Sequence, residues 1–417
     1  MPGTSGPGRA FPARPDTSGP VVVVGVGADG WDGLSASARR EIGAAEVLMG
    51  GSRQLALVPD TGAERVAWPS PMIPALPGLL AERADRAVCV LASGDPMFHG
   101  IGTTLVRLLG PGRVRVLPHP SSVSLACARM GWPVEDTTVV SMVGRPVELL
   151  NRVLRPGSRV LALSADATTP GSIAGLATSR GYGGSAMTVL EQLGGPHERL
   201  VRSTAARWEA EVDPLNIVAL ECRADPDTAV LGSVPGLPDD AFEHDGQLTK
   251  REVRAVTLSR LAPVPGELLW DVGAGAGSVA IEWMRTHPAC RAVAVESRPE
   301  RAARVGRNAS ALGVPGLRVV TGTAPAALAG LEPPDAVFVG GGSTAPGTVE
   351  TCWNALRPGG RLVVNAVTVE SEAVVAAWHA KVGGDLLRIA VQRAGPVGGF
   401  TAWRPSMPVT VWTAVRG

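Results

Sequence analysis

The sequence predicts an α/β protein of two successive domains, the second a Rossmann-like fold with a seven-stranded, mostly parallel sheet. Three observations carry this. Strand-like and helix-like runs alternate along most of the chain, the order that builds parallel sheets covered by helices. The alternation lapses once, across the Pro- and Asp-rich residues 223–243, and then resumes. The length of 417 residues suits two or three domains of roughly 100–200 residues each.

Residues 1–19 are rich in Pro, Gly and Ser and lack the apolar core of a secretory signal; a disordered leader is expected there. Order begins at Val21, where four consecutive valines mark a strand buried on both faces. Further strands are expected over 88–93, 114–118, 159–165, 186–193 and 216–222, with helices over 103–110 and 121–131. These define a first domain over 20–222. Residues 223–243 read as a linker holding a local turn or strand. The second domain, 244–417, carries expected strands at 267–272, 291–297, 317–322, 335–341, 361–367, 386–392 and 408–415, with intervening helices that include 279–285 and 299–313. No helix separates the last two strands, so the sheet should end in an antiparallel hairpin.

Composition narrows the function. Hydrophobic residues make up 45% and charged residues 18%, as in a globular chain. The 39 basic and 38 acidic residues nearly cancel, which argues against a nucleic-acid partner, since phosphate binding needs a basic excess. The five cysteines are scattered, with no CxxC pair or Cys/His cluster, so no metal site is expected and a reducing, cytoplasmic setting fits. No apolar run reaches the roughly 18 residues of a membrane span.

The clearer chemistry lies in the second domain. Gly273, Ala274, Gly275, Ala276 and Gly277 follow a strand and precede a helix, where glycine permits a sharp turn and close approach to a ligand. Position 278 is Ser, so the spacing is GxGxG and the dinucleotide pattern GxGxxG is not met. Glu296 ends the next strand at about the 20-residue distance of an acid that grips ribose hydroxyls. With Asp271 before the turn, these residues suit a ligand with a ribose and no pyrophosphate, which points to S-adenosyl-L-methionine. The alternative is a plain strand–helix turn with a solvated Glu.

With GQLTKREVRA (246–255), DVGAGAG (271–277), VFVGGG (337–342) and RPGGRLVVNAVTVES (357–371), this half resembles the class I S-adenosylmethionine-dependent methyltransferases, and within them the decarboxylating precorrin methyltransferase domain of cobalamin biosynthesis. The resemblance implies cofactor contacts at Thr249, Gly273–Gly277, Glu296, Gly322, Thr323 and Ala324. Thr323 stands where such enzymes often carry an acid toward adenine. His244, Asp245 and Asn365 are the candidates for the proton donor in decarboxylation, and Arg251 for a substrate carboxylate.

In the first domain, Gly25-x-Gly27-x-x-Gly30 with Glu46 about 20 residues on passes, taken alone, for an NAD fingerprint. Trp31, Asp32 and Gly33 interrupt the place where a phosphate-facing helix should begin. Read together, 25–51, LASGDPMFHGIG (91–102), HPSSVSLACARMGWP (119–133), VSMVGR (140–145) and 168–200 resemble the tetrapyrrole methylase family, the class III methyltransferases, over about residues 20–222. That implies two α/β lobes with the cofactor folded in the cleft between them, near Gly94, Asp95, Pro96, Ser121 and Ser122. Gly27, His99 and Arg145 are the candidate substrate contacts. On the residues alone, the serine pair also reads as a helix N-cap, Asp95 as a turn residue, His99 as a packed loop histidine and Arg145 as a surface arginine.

The two resemblances in this order imply a bifunctional C-methyltransferase of cobalamin biosynthesis. It would act on precorrin-6B at C5 through the first domain and at C15 through the second, with removal of the C12 acetate carboxylate to give precorrin-8. The implied partner is this small-molecule tetrapyrrole alone, with no membrane, and the family precedent is a homo-oligomer. Two other classes stay open: an NAD-dependent oxidoreductase, or a protein with one degenerate methylase half that serves as a binding module.

Overall fold

The computed structural model describes residues 19–233 and 235–417. All but the last residue of the expected leader lies outside the described residues. The chain packs as two compact units. One is built from residues up to 143 with 159–171 and 186–221; the other comprises 222–417 with 144–158 and 172–185.

The first unit holds two five-stranded sheets. Strands β1 (Val21–Val26), β2 (Val47–Gly50), β3 (Glu64–Ala67), β4 (Val88–Ser93) and β5 (Val114–Leu117) form an all-parallel sheet in the order β3-β2-β4-β1-β5. The valine run of β1 has the predicted cause. Val24 and Val26 pack on one face with Ile42, Leu48 and Leu55, while Val23 packs on the other with Met49, Val90 and Leu105. The second sheet comprises β6 (Thr137–Ser141), β7 (Arg159–Leu163), β8 (Ala186–Glu191), β9 (Arg199–Thr204) and β10 (Asn216–Glu221), ordered β6-β7-β10-β8-β9. Its pairs are antiparallel apart from β6 with β7.

The second unit is a seven-stranded sheet of β11 (Leu268–Val272), β12 (Arg291–Glu296), β13 (Arg318–Thr321), β14 (Ala336–Val339), β15 (Arg361–Ala366), β16 (Asp385–Ile389) and a final strand, Val409–Val415. Between β16 and that strand come β17 (Gln392–Val397) and β18 (Phe400–Pro405), so the last strand is β19. The order is β13-β12-β11-β14-β15-β19-β16, parallel throughout except that β19 runs antiparallel to both neighbours. Apolar clusters cover both faces: Leu269, Ala294 and Phe338 belong to one, and Trp270, Val293 and Val337 to the other.

The expected terminal hairpin is present as the antiparallel β16–β19 pair, but its connection carries the separate β17–β18 ribbon, which the sequence reading did not foresee. This ribbon leaves Phe400 84% and Trp403 69% exposed. Without a core beneath it, it has no alternating apolar pattern to find. Strands β2, β3, β6 and β9 were also not expected: they are four to six residues long, and most have partly exposed faces. Of the supposed linker, residues 236–242 are built into the second unit, with Leu237 and Phe242 buried and a short 3-10 turn at Asp239–Ala241.

Candidate active sites

In the second unit the parallel strands end together, and the loops after β11, β12, β13 and β14 converge on a cavity of about 610 Å³. Its lining includes Thr249, Gly273, Ala274, Gly275, Glu296, Gly322, Thr323, Ala324 and Asn365, all expected from sequence. Gly273 and Gly275 hold φ of 72° and 59°, the left-handed region that L side chains avoid. Glu296 is 4% exposed; its Oε2 accepts the Gly275 N–H at 2.9 Å and its Oε1 the Arg298 N–H at 3.0 Å. The carboxylate is thereby fixed against the glycine turn, with lone pairs left over for a ligand. Asn365 donates from Nδ2 to Thr257 Oγ1 at 3.0 Å, and its buried Oδ1 has no partner among the described residues.

Five expected residues do not line this cavity. Ala276 is buried and accepts from Asn308 Nδ2 at 2.9 Å through its carbonyl, and Gly277 is glycine because a Cβ there would meet Val305 Cγ1 at 2.6 Å. Both hold the helix Ser278–Thr286 in place rather than face a ligand. His244 accepts the Gly246 N–H at Nδ1, 3.1 Å away, in the turn leading to the cavity. Asp245 is engaged by Arg301 at 2.8 Å and Arg304 at 3.3 Å. The Arg301 hydrogen bond holds its carboxyl well below the usual carboxylate range, so at neutral pH Asp245 has no proton to give. Arg251 is exposed at the start of the helix Arg251–Leu261; the cations that do line the cavity are Lys250, Arg301 and Arg393. Arg301 and Arg304 lie three apart on one helix, a spacing visible in the sequence. Arg393 rises from the unforeseen ribbon and had no sequence signal.

Asp271 is 1% exposed. Its Oδ2 accepts the Ala280 N–H at 3.0 Å, while Oδ1 has no partner among the described residues. Burial pushes its pKa from 3.8 up to about 7, Ala280 opposing and Glu296 adding to the rise. Between about pH 4 and pH 7 the folded chain therefore keeps a proton that the unfolded chain has released, and stability falls as pH rises through that window. In Asp271→Asn this loss should be absent. Thermal unfolding of parent and variant is expected to diverge with rising pH, the variant losing less; parallel curves across the window would refute this assignment.

In the first unit a cavity of about 410 Å³ is lined by Gly27, Gly94, Asp95, His99, Ser121 and Ser122, as expected. Asp95 Oδ1 accepts the Met97 N–H at 2.8 Å, which shapes the turn, and Ser121 caps the helix Ser122–Met130 by accepting from Ser124 N at 3.1 Å. His99 adopts φ 54°, with its ring edge-on to Phe98 at 4.9 Å. Pro96 and Arg145 are not in the lining. Pro96 accepts the Gly102 N–H at 2.9 Å, under the turn, and Arg145 is exposed in the loop after β6. The cation in this lining is Arg53, which sequence reading passed over.

The dinucleotide reading of this unit fails on geometry. The first helix starts at Ala36, well past the glycines, so no helix N-terminus stands behind them. Glu46 precedes β2 instead of ending it, at the opposite end of the parallel strands from the glycine turn, and accepts the Ala87 N–H at 2.8 Å. Gly25 is needed for packing, since a Cβ there would lie 1.9 Å from Gly94 O.

Comparison with known proteins agrees with this architecture. Residues 20–208 match the Tetrapyrrole (Corrin/Porphyrin) Methylases, and residues 240–416 the Precorrin methyltransferase domain. The chain is thus a methyltransferase of two fused domains, each of a corrin- or precorrin-directed class. Over 400 residues it is 51% identical to a Sinorhizobium precorrin-6Y C(5,15)-methyltransferase [decarboxylating], covering 95% of this chain and 96% of the relative. It belongs to the precorrin-6Y C(5,15)-methyltransferase [decarboxylating] family. Each half also has its own relative. The Salmonella typhimurium cobalt-precorrin-7 C(5)-methyltransferase is 35% identical over 207 residues, 49% of this chain and 100% of its own length. A probable cobalt-precorrin-6B C(15)-methyltransferase (decarboxylating) of Saccharolobus solfataricus is 33% identical over 144 residues, 33% of this chain and 72% of its own.

Proposed function

We propose that this chain converts precorrin-6B to precorrin-8 in cobalamin biosynthesis, by methylation at C5 and C15 and decarboxylation of the C12 acetate. Residues 20–222 act at C5, and residues 244–417 act at C15 and release carbon dioxide. The observation that carries this is one chain with two separate cavities, each at a glycine turn that ends a parallel strand. The split between positions rests on the half-length relatives.

The methyl donor is S-adenosyl-L-methionine, which when bound supplies an electrophilic methyl group. The second cavity suits it: Glu296 for the ribose hydroxyls, the bare backbone of Gly273 to Gly275 beside it, and the unpartnered Asn365 Oδ1 for a donor group of the ligand. Thr249, Gly322, Thr323 and Ala324 complete the pocket. In the first cavity Gly94, Asp95, Ser121 and Ser122 hold the donor, while Gly27 and His99 face the macrocycle. The reduced macrocycle is itself nucleophilic at its meso carbons, so the protein chiefly aligns the two reactants, a contribution of up to roughly 7–11 kcal/mol. Lys250, Arg301 and Arg393 line the second cavity, paired there with Asp239, Asp245 and Glu252, and their remaining N–H groups are the donors for the substrate carboxylates. The enzyme works in the cytoplasm as a homo-oligomer, without a nucleic-acid or membrane partner; among the described residues no helix is long and apolar enough to cross a membrane.

Incubation of the intact chain with precorrin-6B and methyl-labelled donor tests the reading. Mass spectrometry should find a product with two labelled methyl groups added and one carbon dioxide lost. A product with neither change refutes it.

A further inference from the structure

We propose that Arg53 and the Ser93 hydroxyl form a carboxylate subsite in the first domain's cavity, which anchors one acidic side chain of the macrocyclic substrate. The proposal rests on the function given above and assigns a binding residue that the sequence motifs did not contain.

Much of this cavity is apolar. Trp68, Phe98, Leu125, Leu163, Leu190 and Ile217 suit the faces of a flat conjugated ring. A carboxylate carried in with that ring loses water and needs a charged partner. Among the described residues lining the cavity, Arg53 is the one arginine, and there is no lysine. It takes part in no ion pair among the described residues. Its Nη2 donates to Ser93 Oγ at 3.0 Å, which leaves the rest of its planar fork available. Arg53 and Ser93 are both solvent-exposed, so it is the entering ring that would strip water from a carboxylate held between them. Desolvation lowers the Arg53 pKa, an effect Asp213 opposes; the Asp213 carboxylate is already occupied at Oδ1 by Gln192 Nε2 at 3.0 Å and Leu215 N at 2.7 Å.

Ser93 completes the subsite. Its Oγ also accepts from Gln54 Nε2 at 2.8 Å, so both lone pairs are in use and its own O–H remains to donate. The guanidinium fork and this hydroxyl are donors side by side, the complement of a carboxylate. Gln54 is buried, and Gly51 leaves the space its amide occupies: a Cβ at residue 51 would meet Gln54 Oε1 at 2.6 Å. Ser93 ends β4 and adjoins Gly94 and Asp95, so a carboxylate held here ties the macrocycle close to the proposed donor loop.

The test uses the full chain with precorrin-6B and methyl-labelled donor, following methylation at C5 and C15 separately. Loss of a charge-assisted bond predicts that Arg53→Leu raises the KM of C5 methylation by about 10–100-fold, with kcat changed far less and Arg53→Lys recovering part of the loss. Carbon dioxide release by the second domain should match the parent, as should S-adenosylhomocysteine affinity and the thermal unfolding midpoint. An unchanged KM in Arg53→Leu overturns the subsite. So does a loss that comes with weaker S-adenosylhomocysteine binding or a lowered midpoint, which would mark a structural role. A parent chain that methylates nothing refutes the functional reading itself and is told apart from these outcomes because the parent, not the variant, fails.

Discussion

Arg254→Ala is expected to destabilise the second unit by about 3–5 kcal/mol, the range for removing one partner of a buried ion pair. Arg254 is 0% exposed and Glu282 3%. The Arg254 Nε donates to Glu282 Oε1 at 2.6 Å and its Nη1 to Asp239 at 3.1 Å, with the carbonyls of Thr249 and Leu237 as further acceptors. The guanidinium also lies 4.8 Å from the centre of the Phe242 ring. Glu282 in turn accepts the N–H groups of Gly236 and Leu237. One side chain thus ties residues 236–249 to the helix Ser278–Thr286, and Thr249 at the cavity is held by it. In Arg254→Ala a carboxylate is left in the core without its cation. Denaturant unfolding should report the loss, and S-adenosylhomocysteine affinity at the second domain should fall with it. Arg254→Lys keeps the charge but cannot span these acceptors at once, so an intermediate midpoint is expected. An Arg254→Ala midpoint equal to the parent's would show that the network does not hold this segment.

Gly273→Ala should abolish decarboxylation while C5 methylation continues. A Cβ at this position would lie 2.7–2.8 Å from the O, Cα and N atoms of Gly341, and backbone cannot swing aside as a side chain tip would. The φ of 72° adds the left-handed penalty of about 1–2 kcal/mol, and forced overpacking about 1–3 kcal/mol more. The loops after β11 and β14 would be pushed apart at the place proposed for the methyl donor. Carbon dioxide release and C15 methylation are the measurements, with the first domain's product as the internal control. Decarboxylation at the parent rate would refute the placement of the donor at this turn.

Gly273 also explains why the Gly340-Gly341-Gly342 run carries so much information. A methyl group at Gly340 would meet the Phe338 ring at 2.7 Å, and the close approach of the Gly341 backbone excludes one on Gly273, while a Cβ on Gly341 itself would make only ordinary contact with Gly273 at 3.8 Å. Two motifs about seventy residues apart in the chain are two sides of one contact. Such glycines are legible because the demand falls on residue type. The arginines are harder to read. Arg145 and Arg251 stand beside recognisable motifs yet are exposed and line neither cavity, whereas Arg53 and Arg393 line cavities from a short helix and an exposed ribbon that have no pattern of their own. Asp245 shows the same limit: it stands in the turn before the cavity without lining it, and two cations three residues apart on a neighbouring helix keep it ionised.

The sequence by itself determined the two α/β series, the strands buried on both faces and the glycine turns that end the first strand of each. These depend on local periodicity and on φ values that only glycine takes without strain. Tertiary structure alone decided which charged side chains reach a cavity, which are tied up in ion pairs, and that residues 236–242 belong to a core. Those outcomes depend on the orientation of side chains brought together from distant parts of the chain, and no spacing along the sequence encodes that.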